Sequence, residues 1–167
     1  MSTLYALAEQ IEASAIGVAI AESRYAYPII EGIHLIGLSV SVGLIFLTDL
    51  RLMNLFLKKV PVIDVLRHLR PYVVGGFIAV FLSGGLLFWS AAARMLDSPA
   101  FVAKMIFMFF AGLNALYFEL VIAQRAPVQE SHPVLPTSVT VAGVASFGLW
   151  TLVVVCGRLI PYLPTWG

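Results

Sequence analysis

A histidine set in an apolar stretch, one helical turn after a glutamate, is the arrangement in this sequence that most directly invites chemistry. Glu31 and His34 stand three residues apart, and Gly37, Ser41 and Thr48 follow His34 at offsets of three, seven and fourteen. On a helix these five fall on or near one face, which makes that face polar and aims it into a bundle. An E-x-x-H pair can serve a carboxylate-bridged metal centre, but such a centre needs a second pair and further carboxylates from other helices, and the sequence offers none. Three readings of His34 are open: a haem b ligand, a copper(I) ligand, or a structural histidine bonded to Glu31 or Lys104. A charge near the centre of a bilayer costs roughly 2.5 to 3.5 kcal/mol, so a residue of this kind needs a reason to be there.

Depth limits which residues can join His34. At about 1.5 Å per residue, His34 lies roughly 9 Å into its helix from Pro28, and Met108 lies roughly 12 Å in from Ala100. His68 and His132 belong to the opposite side of the membrane, which excludes a bis-histidine site. The second ligand of a metal or haem at His34 is then water, a substrate, Met105, Met108 or, less readily, Cys156. Haem b also asks for an apolar slot and cations for its propionates. Gly84 and Gly85, at the level of His34, leave room for a flat macrocycle; Phe88, Trp89, Phe107 and Phe110 would line it; Arg94, Lys104 and Arg158 would meet the propionates. Copper(I) would draw on Met95, Met105, Met108 and Cys156, though these form no MxxxM or CxxC pattern. A second polar group, Asp49, Arg51, Asn114, Glu119, Arg125 and His68, gathers toward the other side. It reads as a charge network joining helix ends, with a proton route to His34 as the functional alternative.

The elements that must position these residues follow from composition. Of 167 residues, 60% are hydrophobic and 11% charged, where a soluble domain carries about 25% charged residues. The apolar residues gather into four predicted spans, at about 28–47, 71–93, 100–123 and 136–159, the first continuing as helix toward Leu57. Short joins between them predict an all-α, up-down four-helix membrane bundle in which consecutive helices are antiparallel neighbours, forming one domain over 1–167. Before them, residues 1–24 carry Leu4, Leu7, Ile11, Ala15 and Val18 at helical spacing with Glu9 and Glu12 off that stripe, the pattern of an amphipathic interfacial helix. Gly75, Ala79 and Ser83 form a small-residue ridge on the second span, with Gly37, Ser41 and Gly143 as further points of close approach.

Arg51, Lys58, Lys59, Arg67, Arg70 and Arg125 fall on one side of the membrane and only Arg24, Arg94, Lys104 and Arg158 on the other. This bias places both termini outside, in the periplasm of a Gram-negative host. With ten Lys and Arg against nine Asp and Glu, and no basic run or phosphate loop, nucleic acid is excluded as a partner. The lone Cys156 makes no intrachain disulfide, and the missing CxxCH excludes covalent haem. No nucleophile, base and oxyanion arrangement supports hydrolysis.

Tyr27-Pro28, Glu31, His34-Leu35-Ile36-Gly37, Gly43 and Asp49-Leu50-Arg51-Leu52 resemble an uncharacterised family of small bacterial inner-membrane proteins. So do Ser83-Gly84-Gly85-Leu86-Leu87-Phe88, Ala100-Phe101, Lys104-Met105 and Ala111-Gly112-Leu113-Asn114-Ala115, so the likeness runs from about Ala13 to Phe118. More distantly, the His then Gly early in the first span and the Phe-x-x-Lys opening the third are similar to copper-resistance D-type membrane proteins and to membrane haem-containing protoporphyrinogen oxidases. The second resemblance implies haem ligation at His34 and a functional lysine at Lys104. The expected protein is a membrane haem b carrier that passes electrons, as a homo-oligomer or a subunit of a membrane assembly. Copper handling and a cofactor-free structural subunit are the alternatives.

Overall fold

The computed structural model describes residues 2–124 and 135–166, and every regular element among them is helical. Four helices are long and apolar enough to cross a membrane: α3 (Ala26–Leu52), α4 (Val62–Trp89), α6 (Pro99–Tyr117) with the π-helical turn that continues it (Phe118–Ile122), and α7 (Thr137–Leu159). The shortest, with 23 residues, extends roughly 34 Å, enough for a hydrocarbon core of about 30 Å. Before them stand α1 (Ser2–Glu12) and α2 (Ala15–Glu22), and α5 (Ala92–Leu96) caps the turn between α4 and α6. Large apolar side chains such as Ile36, Leu82, Phe109, Leu120 and Val141 cover the outside of the bundle, the surface expected of helices solvated by lipid.

Several boundaries depart from expectation for identifiable reasons. The single amphipathic helix is two helices bent by 61°, with the Ser14 hydroxyl accepting from the Gly17 amide to start the second. α3 stops at Leu52 and does not reach Leu57, because Asn54 turns left-handed at φ 56°. Arg51 Nε braces the following loop by donating to the Val60 carbonyl at 2.7 Å. α4 begins nine residues before Pro71, which is an interior proline. Its first two turns bury Val62, Val65 and Leu66, and Val62 and Leu66 pack in a cluster with Leu52, Phe118, Ile122 and Val139; that burial outweighs the backbone bond the proline removes. Arg125, His132 and most of the connection between the third and fourth spans lie outside the described residues.

The packing order is that of an up-down ring with one loose side. α3 runs along α4, α6 runs along α7, and α3 against α7 joins the two pairs. The backbones of α4 and α6, which follow one another in the chain, barely approach; Phe88 stacks on Phe101 at 5.7 Å between them near one end, and a cleft remains at the other, where the cavity described below lies. The α3–α4 crossing is the tightest. A Cβ on Gly76 would stand 2.2 Å from Ser41 Oγ and 3.2 Å from the Gly37 carbonyl, so nothing larger than glycine fits there. The ridge is therefore built on Gly76, Ala79, Val80 and Ser83 and not on Gly75, which faces open space one residue off the contact line. A second apolar cluster, Val42, Ala111, Trp150 and Val153 with Phe77, Phe107 and Met108 against it, fills the middle of the bundle.

At the His34 end, α1 packs on α5, Glu12 Oε2 accepts from the Ala93 amide at 3.0 Å, and Trp89 Nε1 donates to Ser14 Oγ at 2.8 Å. The Trp166 amide donates to the Asp97 carbonyl at 3.0 Å, so the segments before α3 and after α7 gather at this one end.

Candidate functional site

Two polar regions interrupt α3, about 22 Å apart along its axis at 1.5 Å per residue. The first centres on His34. Its expected partners, Glu31 and Lys104, do not bond it; its Nδ1 lies 3.1 Å from the Val80 carbonyl and 3.1 Å from Ser83 Oγ, both on α4. The Ser83 hydroxyl proton is committed to the Ala79 carbonyl at 2.6 Å, so the serine oxygen faces the imidazole as an acceptor. Two acceptors around Nδ1 put the proton of a neutral imidazole there and leave Nε2 with its lone pair bare. This is the arrangement that fixes a histidine for ligation.

Gly84 makes room for the imidazole itself, since a Cβ there would lie 3.0 Å from His34 Cε1. The expectation that Gly84 opens a slot for a macrocycle is corrected accordingly, and Gly85 faces open space outside the contact. Lys104 is half-buried and runs its side chain over Gly157 of α7, near enough to His34 to bear on its charge, as Glu31 is. Met108 packs in the central cluster, whereas Met105 is exposed on the outer face. Arg94 and Arg158 are exposed at the end of the bundle, the latter over the Tyr162 ring at 5.1 Å. Cys156 is a free thiol of intermediate exposure.

The second region surrounds Asp49. The expected network does not form as one group. Asp49 is 3% exposed, and its Oδ2 has no hydrogen-bond partner among the described residues; Ser146 of α7 stands beside the carboxyl. Arg51, two residues on, is equally buried but faces away along the helix, and its Nη1 is also unpartnered. Asn114 Nδ2 donates to the Ala142 carbonyl at 3.1 Å, tying α6 to α7. Glu119 pairs with Arg70 of α4 in an ion pair across the cleft, and His68 turns back to the Asp64 carbonyl of its own helix.

Asp49, Arg70, Asn114, Glu119 and Ser146, but not Arg51 or His68, line a cavity of about 180 Å³ between α3, α4, α6 and α7, walled toward the bundle centre by Phe77 and Trp150, whose ring centroids are 5.0 Å apart. The π-helical turn, closed by the Ala123 amide donating to the Phe118 carbonyl at 2.8 Å, presents Phe118 and Glu119 to this cavity. Sequence reasoning found Asp49, Asn114 and Glu119 but missed the cavity, Arg70 and the π-helical turn. Charged residues at the ends of apolar runs were the available signal, and nothing in the sequence marks the extra residue of a π-helix. Among the described residues, no group of three His, Cys, Asp or Glu side chains could hold a metal ion.

An all-α bundle of four membrane-crossing helices, with a clamped histidine near one end and a polar cavity near the other, defines a class of multi-pass membrane protein. Within that class, the chain belongs to DUF6644, a family of unknown function whose model matches residues 8–163. The match extends through the fourth span, farther than the resemblance read from the sequence. No curated protein and no solved structure matches the chain.

Proposed function

We propose that this protein is a redox component of the membrane that holds haem b through His34. The observation that carries the reading is the pair of acceptors at Nδ1, which orients the ring and leaves Nε2 as a bare nitrogen ligand. Haem bound there would supply one-electron chemistry. This chain's own residues would hold the ring still through Val80 and Ser83, keep a half-buried cation nearby at Lys104, and offer Arg94 and Arg158 to carboxylates at the bundle end. His34 is the one ligand the geometry supports directly, because Met108 is committed to the apolar centre. The distant likeness to membrane haem-containing oxidases around His34 and Lys104 points the same way. The basic-residue bias supports a bacterial inner-membrane location with both termini in the periplasm, and the exposed apolar faces leave room for a second copy or an assembly partner.

An oxidised-minus-reduced visible spectrum of protein purified from haem-replete cells, with metal analysis, tests the proposal. A Soret band with a sharpened α-band on reduction, absent from His34→Ala, is the expected result. Stoichiometric copper without porphyrin absorbance would replace it with copper handling. Neither cofactor would leave His34 as a clamp between α3 and α4 in a structural subunit.

A further inference from the structure

The cavity at Asp49 is independent of any cofactor at His34. A carboxylate that is almost wholly buried, with one oxygen lacking a partner among the described residues, is costly in a bundle surrounded by lipid. Arg51 does not relieve it, since two residues along a helix point to opposite sides and Arg51 bonds the loop at Val60. The charged groups that face the cavity are Asp49 from α3, Arg70 from α4 and Glu119 from the π-helical turn, while α6 and α7 contribute only neutral side chains. One cation against two carboxylates leaves the lining one positive charge short.

The oxygen chemistry fits the same deficit. The Thr48 hydroxyl gives its proton to the Leu44 carbonyl at 3.0 Å and Asn114 gives an amide proton to Ala142. Thr48 and Asn114 therefore face the cavity with oxygen lone pairs to spare, beside the orphaned Oδ2 and Ser146. Hard oxygen ligands and a single missing charge suit a small monovalent cation. Arg70 and Glu119, whose side chains are 53% and 40% exposed, pair at the mouth of the cavity, whereas Asp49 lies at its buried end. We propose that this cavity is a single-cation site, in which Asp49 takes up one proton or one alkali-metal ion through the cleft between α4 and α6, past the Arg70–Glu119 pair.

The test is infrared difference spectroscopy on the full chain in lipid nanodiscs, perfused with buffers that change in pH or exchange choline chloride for sodium chloride. The chain has three aspartates, Asp49, Asp64 and Asp97, so carbon-13 labelling of aspartate identifies the responding band in the unmutated protein. Asp49→Asn then assigns it. A protonated-carboxyl band that follows pH and ignores sodium identifies the ligand as a proton. A carboxylate response to sodium and not to choline at constant pH identifies an alkali-metal ion. Spectra in which no aspartate band responds to either change, or in which the response survives in a folded Asp49→Asn protein, would overturn the site. Arg70→Gln is expected to speed hydrogen–deuterium exchange of the carboxyl several-fold; an unchanged rate would remove the ion pair from the route.

Discussion

His34 and Asp49 interrupt the same 27-residue helix, yet the bundle treats them in opposite ways. Around His34 the neighbouring helix supplies a carbonyl and a hydroxyl oxygen to one ring nitrogen, and glycine gives the ring its space. Around Asp49, α7 closes on the α3 backbone at Gly143, but the carboxyl itself faces a cavity and one of its oxygens is left unpartnered among the described residues. In lipid, where water does not satisfy stray polar atoms, the first is an anchored ring with one nitrogen free, and the second is a charge awaiting a counter-charge. The difference comes from packing order: α4 lies tightly on α3, but α4 and α6 remain apart.

The contrast predicts mutations of graded effect. The largest should come from Gly76→Leu at the α3–α4 crossing, where an added Cβ meets Ser41 Oγ and the Gly37 backbone. Overpacking of this kind costs about 1–3 kcal/mol or more. Thermal unfolding in detergent should show it, along with loss of any ligand signal from both regions; a loss confined to one end would show that the two ends do not share this crossing.

Next, His34→Ala and Asp49→Asn should move stability in opposite directions. The first removes a buried hydrogen bond and its ring, and the second removes a buried unpaired charge, each worth about 1–3 kcal/mol. In alkaline, sodium-free buffer His34→Ala should therefore lower the unfolding temperature and Asp49→Asn raise it. Lowering the pH or adding sodium should shrink the Asp49→Asn difference, because a bound cation stabilises the unmutated protein. Sodium should leave the His34→Ala difference alone, whereas a lower pH should shrink that one as well, since it protonates the imidazole in the unfolded chain. Equal signs for the two variants would break the comparison. The smallest effect is expected from Arg70→Gln, since a half-exposed ion pair contributes roughly 0.2–1 kcal/mol to stability. A larger loss in the same melts would make that pair a structural strut of the cleft.

The four spans and the prominence of His34 and Asp49 were legible because a bilayer imposes length and polarity rules that act on local sequence. What those rules do not encode is helix rotation and order. Gly76 and Gly75 are adjacent and chemically identical, yet only one lies on the crossing, and a rotation of about 100° per residue separates them. The π-helical turn, the interior Pro71 and the distance between α4 and α6 are set by burial of Phe118, Ile122, Val62 and Leu66 against residues far away in the chain. His34 was recognised as a ligand candidate from its type, but its partners Val80 and Ser83, 46 and 49 residues on, became visible only once α4 was laid against α3.

The pairing of α3 with α4 and of α6 with α7 bears on how the chain is made. Each pair is a hairpin of consecutive crossings that can leave the insertion machinery as a unit, with its close contacts already formed. The two hairpins then meet through α3 and α7, a late docking step that closes the walls of the Asp49 cavity, whereas the His34 clamp belongs to the first hairpin alone. Biogenesis would thus complete the histidine from the first hairpin alone and the aspartate only once the second hairpin has docked.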